Sequence, residues 1–183
     1  MRMKNIEIKA RCRDLARVRD AARSEGAVPH GVLHQTDTYF HVPVGRLKLR
    51  EIESSGSPQG GDATRCAELI FYRRSDDAGP KASEYEVAPV TEASRMCAAL
   101  AAALGIWIVV EKRRELWILD NVRIHLDEVT GLGSFLELEA VVDNAHAEDV
   151  CHQAVRRLLD LFEVGDDDRI RDSYSDLLAL AKA

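Results

Sequence analysis

The chain has few cysteines, no long apolar segment and few aromatic residues. Its four cysteines are far apart and form no CxxC pair, which argues against a disulfide framework or a structural zinc site. The longest apolar stretch, around Ala98–Val110, contains Gly105 and is too short to span a membrane. The N-terminus lacks the apolar core of a signal peptide. We therefore expect a cytoplasmic protein with no membrane partner.

Positive charge is also scarce. The chain has 25 Lys and Arg residues but 31 Asp and Glu residues, and its net charge is −6. Non-specific binding of nucleic acid needs a basic surface, so we expect no nucleic-acid partner. Phosphate binding is not excluded, since a local basic pocket can lie within an acidic surface. The GxxxxGK[ST] loop is absent, and Gly131-Leu-Gly133 is typical of a hairpin turn, not of a dinucleotide site.

What the chain does contain is a set of strands with one apolar face and one charged face. Near the N-terminus Ile6 and Ile8 point to one side, whereas Asn5, Glu7 and Lys9 point to the other, because side chains alternate along a strand. The same alternation recurs in Arg46–Arg50, Glu111–Leu116, Arg123–Asp127 and Glu137–Glu139. A face that carries both acidic and basic groups suits a polyphosphate bound with a divalent cation.

The length fits one domain over residues 1–183, and the patterns predict an α+β fold. The predicted strands are Lys4–Cys12, His34–His41, Gly45–Ser54, Arg65–Arg74, Ser83–Val87, Trp107–Leu119, Asn121–Val129 and Ser134–Val142. The predicted helices follow Asp14, run from Thr91 to Gly105, and cover Ala147–Phe162 and Ser173–Ala181. The helices should cover the apolar side of the sheet. The polar side is then either open to water or turned inward around a wet interior.

Two sets of charged residues on these strands are candidates for a site. The acidic set can supply oxygen ligands for a hard cation, and the basic set can bind phosphate oxygens. For each acidic residue alone, a solvated position on an exposed sheet face is the better interpretation, and each basic pair alone is weak evidence for a phosphate site. The acidic set is Glu7, Asp127, Glu137 and Glu139, and the basic set is Lys9, Lys48, Arg50, Arg74, Lys112 and Arg114.

Several of these segments, in this order and spacing, resemble the CYTH proteins, which are named for class IV adenylyl cyclase and thiamine triphosphatase. The matching segments include Asn5-Ile-Glu-Ile-Lys9, Gln35-Thr-Asp-Thr-Tyr-Phe40, Gly45-Arg-Leu-Lys-Leu-Arg50, Lys112-Arg-Arg114 and Gly131-Leu-Gly-Ser-Phe-Leu-Glu-Leu-Glu139. The likeness covers nearly the whole chain and is greatest to the class IV cyclase-like branch. It implies an eight-stranded antiparallel β-barrel, called a triphosphate tunnel, with helices packed outside.

The resemblance also implies roles for the candidate residues. Mg²⁺ or Mn²⁺ would be held by Glu7, Glu137 and Glu139. Phosphate oxygens would be bound by Lys9, Lys48, Arg50, Arg74, Lys112 and Arg114. Lys9, Asp127 and Arg114 would take part in catalysis, with Asp127 near the metal or the reacting ribose. The family pattern Glu-x-Glu-x-Lys has Asn5 at its first position in this chain, so the site would have one carboxylate fewer.

Three functions follow from this resemblance. The first is an adenylyl cyclase that converts ATP to cyclic AMP and pyrophosphate. The second is a hydrolase of inorganic or thiamine triphosphate. The third is a non-catalytic binder of nucleotides or polyphosphate, which Asn5 favours. A homodimer is compatible with each of them, and the cyclase-like activity is our leading prediction.

Overall fold

This computed structural model describes residues 3–54, 64–74 and 81–182, which contain nine strands, four α-helices and a short 3₁₀ helix at Asp166–Asp168. The strands are β1 (Met3–Arg11), β2 (Val28–Phe40), β3 (Arg46–Ser54), β4 (Thr64–Arg74), β5 (Lys81–Val90), β6 (Ile106–Leu119), β7 (Val122–Val129), β8 (Gly133–Val142) and β9 (Arg169–Ile170). The helices are α1 (Leu15–Ser24), α2 (Ala93–Leu104), α3 (Glu148–Leu161) and α4 (Tyr174–Lys182).

The long strands pair antiparallel, and their order of pairing returns to the strand where it began. Successive neighbours are β5, β4, β3, β2, β6, β7, β8 and β1, and residues 3–7 of β1 also pair with β5. Each of these eight strands therefore has a partner on both sides, as in a barrel. The short β9 pairs with Lys9 and Ala10 of β1. The predicted α+β fold, an antiparallel sheet with helices outside, is confirmed, and the pairing of β1 with β5 is consistent with the predicted barrel. Strand β9 is an addition that is too short to be predicted from sequence alternation.

The apolar side of the strands faces outward and is covered by α1 and α3. Burial of each large apolar side chain contributes about 1.5–3 kcal/mol, so this layer fixes which strand face is outside. Turning these strands over would expose the whole layer to water. The buried residues of the layer are Ile6, Ile8, Val18, Ala22, Ala27, Trp117, Val122, Ile124, Leu126, Leu136, Leu138, Ala140, Cys151, Val155, Leu158, Leu159 and Phe162.

A second buried cluster fills one end of the barrel interior. Ile108 and Val110 share the inward face of β6 with Lys112, and Phe135 shares the inward face of β8 with Glu137. The first turns of α4 add Tyr174 and Leu178 to this cluster, which also contains Tyr39 and Val129. This end of the interior is packed, and the polar cavity described below begins where the cluster ends.

The predicted helix boundaries agree with the structure, and Asp14 caps α1 by accepting a hydrogen bond from the backbone N–H of Arg17 at 3.0 Å. Helical spacing predicts that Val150, Ala154, Leu158 and Leu161 share the apolar side of α3. In the structure Val150 is 45% exposed, whereas Cys151 and Val155 are fully buried. The helix is turned by about one residue from the predicted orientation, so that Leu158 and Leu159 both face the sheet.

Strand β2 begins at Val28, six residues before the predicted start at His34. The sequence Pro29-His-Gly31 is typical of a turn, but it continues the pairing with β6 across a β-bulge between Pro29 and Gly31. The sequence of residues 54–62 and 75–82, which contains several Gly, Ser and Pro residues, predicts two loops. Both lie mainly outside the described residues. Among the described helices, none has the length and apolar character needed to cross a membrane.

Candidate functional site

The polar faces of the strands enclose a central cavity of about 700 Å³. This volume lies within the range of small-molecule sites. Sequence alternation left open whether the charged face points to solvent or inward, and the outer apolar layer decides that it points inward. The cavity is lined by residues of all eight long strands and of α4: Asn5, Glu7, Lys9, His30, Leu33, Gln35, Asp37, Tyr39, Lys48, Arg50, Ile52, Glu68, Ile70, Tyr72, Tyr85, Val87, Lys112, Arg114, Leu116, Ile118, Arg123, His125, Glu137, Glu139, Ser173 and Tyr174.

Three cations in the cavity converge on one carboxylate, that of Asp37. Arg50 donates two hydrogen bonds to it, from Nε at 2.6 Å and from Nη2 at 2.8 Å. Lys48 and Lys112 each place their Nζ atom 3.0 Å from Oδ2 of Asp37. The four residues come from β2, β3 and β6, whose pairing places Arg50 directly opposite Asp37. We call Lys48, Arg50, Lys112 and Asp37 the cationic cluster.

Burial and mutual repulsion change the protonation of the cationic cluster. Burial, together with repulsion by Arg50, lowers the pKa of Lys48 to about 7, although Asp37 acts in the opposite direction. Burial lowers the pKa of Lys112 to about 8, again against the attraction of Asp37. Burial disfavours the charge of Asp37 as well, but Arg50, Lys112 and Lys48 together hold its pKa well below the usual range. Near neutral pH the two lysines of the cationic cluster can therefore gain or lose protons.

A second group of paired charges surrounds Arg114 of β6. Its guanidinium donates two hydrogen bonds to Asp127 of β7, at 2.7 and 2.5 Å, and a third to Glu137 of β8 at 3.1 Å. The hydroxyl of Tyr174 donates to Asp127 at 2.9 Å. Asp127 is fully buried behind Arg114 and is not among the residues that line the cavity. The carboxylate of Asp127 therefore orients Arg114, which itself reaches the cavity.

Lys9 joins this second group from β1. Its Nζ atom lies 3.5 Å from Glu137 and 4.1 Å from the centre of the Tyr174 ring, where a cation is attracted by the π electrons. Burial disfavours the charge of Glu137, but Lys9 and Arg114 outweigh it and hold the pKa of this carboxyl well below the usual range. Glu137 is therefore ionised, with two cations beside it.

The carboxylates of β1 and β8 face the cavity side by side. Glu7 lies directly opposite Glu139 in the β1–β8 pairing. Glu139 accepts a hydrogen bond from the amide of Asn5, which also donates to the hydroxyl of Tyr85 at 3.1 Å, and Glu139 lies 3.4 Å from Arg123. Like charges directly opposite each other in a sheet repel, and a bound cation would relieve that repulsion.

The donor chemistry of this wall fits a divalent cation shared with a ligand. Carboxylate oxygens are the preferred ligands of Mg²⁺, and Oδ1 of Asn5 is a further oxygen that is buried without a hydrogen-bond partner in the described structure. Within residues 3–54, 64–74 and 81–182, no three His, Cys, Asp or Glu side chains are grouped so that they alone could hold a metal ion. Mg²⁺ commonly uses only one or two carboxylates, with water and phosphate oxygens as its other ligands.

Apolar side chains continue the inward face beyond the arginines. Ile52 follows Arg50 on β3, Leu116 and Ile118 follow Arg114 on β6, and β3 and β6 both run antiparallel to β2. Leu33 of β2 lies opposite Arg114 in the β2–β6 pairing. The cavity therefore has a charged part and, next to it, an apolar part made of Leu33, Ile52, Leu116 and Ile118.

The sequence model of the CYTH domain matches residues 3–174 of this chain. The chain belongs to the CYTH family. A protein of Methanocaldococcus jannaschii named "Putative adenylate cyclase MJ0240" is 31% identical over 71 residues, which cover 39% of this chain and 41% of that protein. The matched stretch is thus less than half of that relative.

Two solved structures share the fold of this CYTH protein. The PH1012 protein of Pyrococcus horikoshii has a TM-score of 0.77 and 20% identity, over 94% of this chain and 98% of that one. HpAC1 of Hippeastrum, named a "putative adenylyl cyclase" with a dominant triphosphatase activity, has a TM-score of 0.53 and 13% identity, over 98% of this chain and 95% of that one. At these identities the likeness concerns the fold.

Most of the residues predicted for the CYTH site line one cavity. Of the candidates, Asp127 lies behind Arg114, and the side chain of Arg74 lies outside the described structure. The other predicted site residues all line the cavity: Glu7, Lys9, Lys48, Arg50, Lys112, Arg114, Glu137 and Glu139. The predicted roles of these residues as metal or phosphate ligands stay predictions.

Sequence reasoning missed Asp37 and Tyr174 as site residues. Asp37 lies in a segment that resembles the family, and its alternation with Gln35 and Tyr39 was the signal that it shares their face. Its position at the centre of three cations depends on pairing between distant strands. Tyr174 begins α4 and reaches the cavity only because that helix packs against the barrel end.

Proposed function

We propose that this CYTH protein binds the triphosphate group of an organic substrate, with a divalent cation, and catalyses a reaction at its phosphorus atoms. One observation carries the proposal: basic and acidic side chains from separate strands meet in a single cavity. The five cations Lys9, Lys48, Arg50, Lys112 and Arg114 match a chain of phosphates in charge and in hydrogen-bond donors. Such a concentration of buried charge is costly unless it is compensated by counter-charges or a ligand.

The residues divide the work of binding between them. The guanidinium groups of Arg50 and Arg114 present fixed pairs of N–H donors, whereas Lys9, Lys48 and Lys112 act as point charges. Glu137, with Glu7 and Glu139, would hold Mg²⁺ or Mn²⁺, which would neutralise charge on the phosphate oxygens. Asp127 and Tyr174 would act indirectly, by fixing the orientation of Arg114.

The leading reaction is cyclisation of a nucleoside triphosphate, as in class IV adenylyl cyclases. The ribose 3′-hydroxyl would lose its proton to solvent as its oxygen forms a bond to the α-phosphorus. The bond from that phosphorus to the bridging oxygen would break, and pyrophosphate would leave with the electron pair. Lys9 and Arg114 would stabilise the charge that develops on the phosphate oxygens. The apolar part of the cavity supports an organic substrate, because inorganic triphosphate has no group to place against Leu33, Ile52 and Leu116.

Hydrolysis of a triphosphate is the alternative reaction, in which water replaces the ribose hydroxyl as the attacking group. The same cations would serve both reactions, so the arrangement of charges does not favour one over the other. Binding without catalysis is the third candidate. It is favoured by Asn5, which gives the wall of β1 and β8 one carboxylate fewer than the family pattern has.

Product analysis separates the three candidates. The purified protein is incubated with Mg²⁺ or Mn²⁺ and with ATP, inorganic triphosphate or thiamine triphosphate, and the products are separated by chromatography. Cyclic AMP with pyrophosphate supports the cyclase. Orthophosphate supports the hydrolase, and binding without any product supports the non-catalytic function. Failure to bind any triphosphate would refute the proposal as a whole.

The role of Glu137 is tested with the variant Glu137→Gln. We expect metal-dependent turnover to fall by about two orders of magnitude, because a neutral amide is a poorer ligand for a hard cation and no longer balances Lys9 and Arg114. The matched control is Glu128→Gln on the outer face of β7, where Glu128 pairs only with Arg113 among the described residues. Equal turnover in the two variants would remove Glu137 from the metal site.

A further inference from the structure

Asp37 occupies an unexpected place for an acidic residue in an anion-binding cavity. It is 2% exposed and receives four hydrogen bonds from three cations, at 2.6 to 3.0 Å. A carboxylate repels phosphate, so its presence at the centre of the cations needs a reason other than substrate contact. When all four groups are ionised, two positive charges of the cationic cluster remain available to a ligand.

We propose that Asp37 is a positioning residue that holds Lys48, Arg50 and Lys112 together and lets the two lysines stay protonated to a higher pH than they otherwise would, so that the cavity can receive a triphosphate near neutral pH. This inference rests on the proposed function and deepens it. It assigns to Asp37 no contact with substrate. The residue acts through the three cations to which it is bonded.

The physical reason is the cost of holding like charges together away from water. Each lysine of the cluster is buried next to Arg50, and both burial and that repulsion disfavour the charged amine. Asp37 is the largest opposing influence on Lys112 and the largest attraction acting on Lys48. Arg50 also donates from Nε to Oδ1 and from Nη2 to Oδ2 of Asp37. This pair of hydrogen bonds fixes the plane of the guanidinium.

Other charged and titratable groups also lie near the cationic cluster. The hydroxyl of Tyr39 lies 3.5 Å from both Lys48 and the Tyr72 hydroxyl, and the Tyr174 ring lies 6.0 Å from Lys112. Burial raises the pKa of Tyr39 and of Tyr174 well above the usual range, so these phenols are neutral. Arg114 adds positive charge to the surroundings of Lys112, and Asp127 adds negative charge from behind Arg114.

Replacing Asp37 by asparagine would have two opposing effects on anion binding. It would remove repulsion between Asp37 and phosphate, which strengthens binding, and it would make the lysines lose their protons at lower pH, which weakens binding. Asp37 lies 3.0 Å from each of the two lysines. An anion that contacts those lysines from the cavity would be farther from Asp37 than the lysines are. Because Coulomb energy falls with distance, the loss of protons dominates once the pH is high enough to deprotonate the lysines.

The test measures the affinity for inorganic triphosphate by calorimetry between pH 5.5 and 9, with EDTA present so that no metal contributes. We expect the pH at which Asp37→Asn loses half of its binding free energy to lie about one pH unit or more below that of the wild type. We call this pH the midpoint. The variant Asp37→Glu keeps the negative charge and should have the same midpoint as the wild type. The ligand's own titration is common to all proteins and cancels in the comparison.

The matched control is Glu68→Gln, which removes one negative charge from the same cavity at the residue opposite Arg50 on β4. We expect its midpoint to stay within a few tenths of a pH unit of the wild type. Coincident profiles for Asp37→Asn and the wild type, or an equal displacement in Glu68→Gln, would overturn the inference. If the wild type binds no triphosphate at any pH, the proposed function itself fails.

Removal of a buried counter-charge can prevent folding. If circular dichroism shows that Asp37→Asn is unfolded, the double variant Asp37→Asn/Lys48→Met replaces it, because it removes one cation together with the anion. Its midpoint then reports on Lys112 and should lie below that of Lys48→Met alone. An unchanged midpoint between these two proteins would refute the proposed role of Asp37.

Discussion

Two lysines of the cavity have pKa values near neutrality, and this is a property of individual residues in a shared environment. Lys48 and Lys112 are both buried beside Arg50, which lowers their pKa values to about 7 and about 8. The normal pKa of a lysine is about 10.4, so both lysines are unusual in gaining or losing a proton near neutral pH. A bound anion favours the charged amine and would return both pKa values upward.

Binding of triphosphate should therefore take up protons at alkaline pH. With their pKa values lowered to about 7 and about 8, Lys48 and Lys112 are expected to be partly neutral at pH 8 and largely charged at pH 6 in the free protein. We expect an uptake of about one proton by the protein at pH 8 and close to none at pH 6. The measurement is calorimetry in two buffers of different ionisation enthalpy. The variant Lys48→Met should take up fewer protons, and equal uptake in both proteins would contradict this assignment.

At the scale of single elements, α3 shows how packing fixes a helix against the barrel. Val155 and Leu158 are buried against the outer face of the sheet, whereas Val150 on the first turn is 45% exposed. The apolar pattern of this segment fits more than one rotation about the helix axis. The outer apolar faces of β1 and β8 select the rotation that buries the most side chains.

Truncation of Leu158 and of Val150 should therefore have very different effects on stability. We expect Leu158→Ala to lower the free energy of unfolding by about 2–5 kcal/mol, because it leaves a cavity between helix and sheet. Val150→Ala should change it by less than about 0.5 kcal/mol. Urea denaturation followed by circular dichroism measures both. Similar losses in the two variants would show that the helix is rotated toward the orientation predicted from the sequence.

At the scale of the whole molecule, the cavity exists only when distant parts of the chain are paired. The cationic cluster needs β2 between β3 and β6, and the carboxylate wall needs β1 beside β8. Asn5 of β1 and Glu139 of β8, which are joined by a hydrogen bond, are 134 residues apart in the sequence. A ligand that binds this cavity binds the folded protein and not the unfolded chain.

Inorganic triphosphate should accordingly raise the melting temperature in the absence of metal. At about 100 times its dissociation constant a ligand stabilises the folded state by about 2.7 kcal/mol, which corresponds to about 5–10 °C for a chain of this size. Lys112→Met should reduce the shift strongly. Arg113→Met should not, because Arg113 lies next to Lys112 but points outward to Glu128. Equal shifts in the two variants would place the binding site outside the cavity.

The sequence alone determined the eight long strands, the four helices and which residues share a strand face, because alternation and helical spacing are local properties of the chain. It also supplied the family resemblance, and with it most of the residues that line the cavity. It did not predict β9, the early start of β2 or the rotation of α3, since each depends on pairing or packing with a remote segment.

Only the tertiary structure decided that the charged faces point inward and that Asp37 lies at the centre of three cations. The apolar faces point outward because they are buried under α1 and α3. The alternation within a single strand does not indicate which of its faces a helix will cover. The position of Asp37 follows from the register of β2 against both β3 and β6. Register between separate strands is a global quantity, and the energy of charges depends on the distances that it sets.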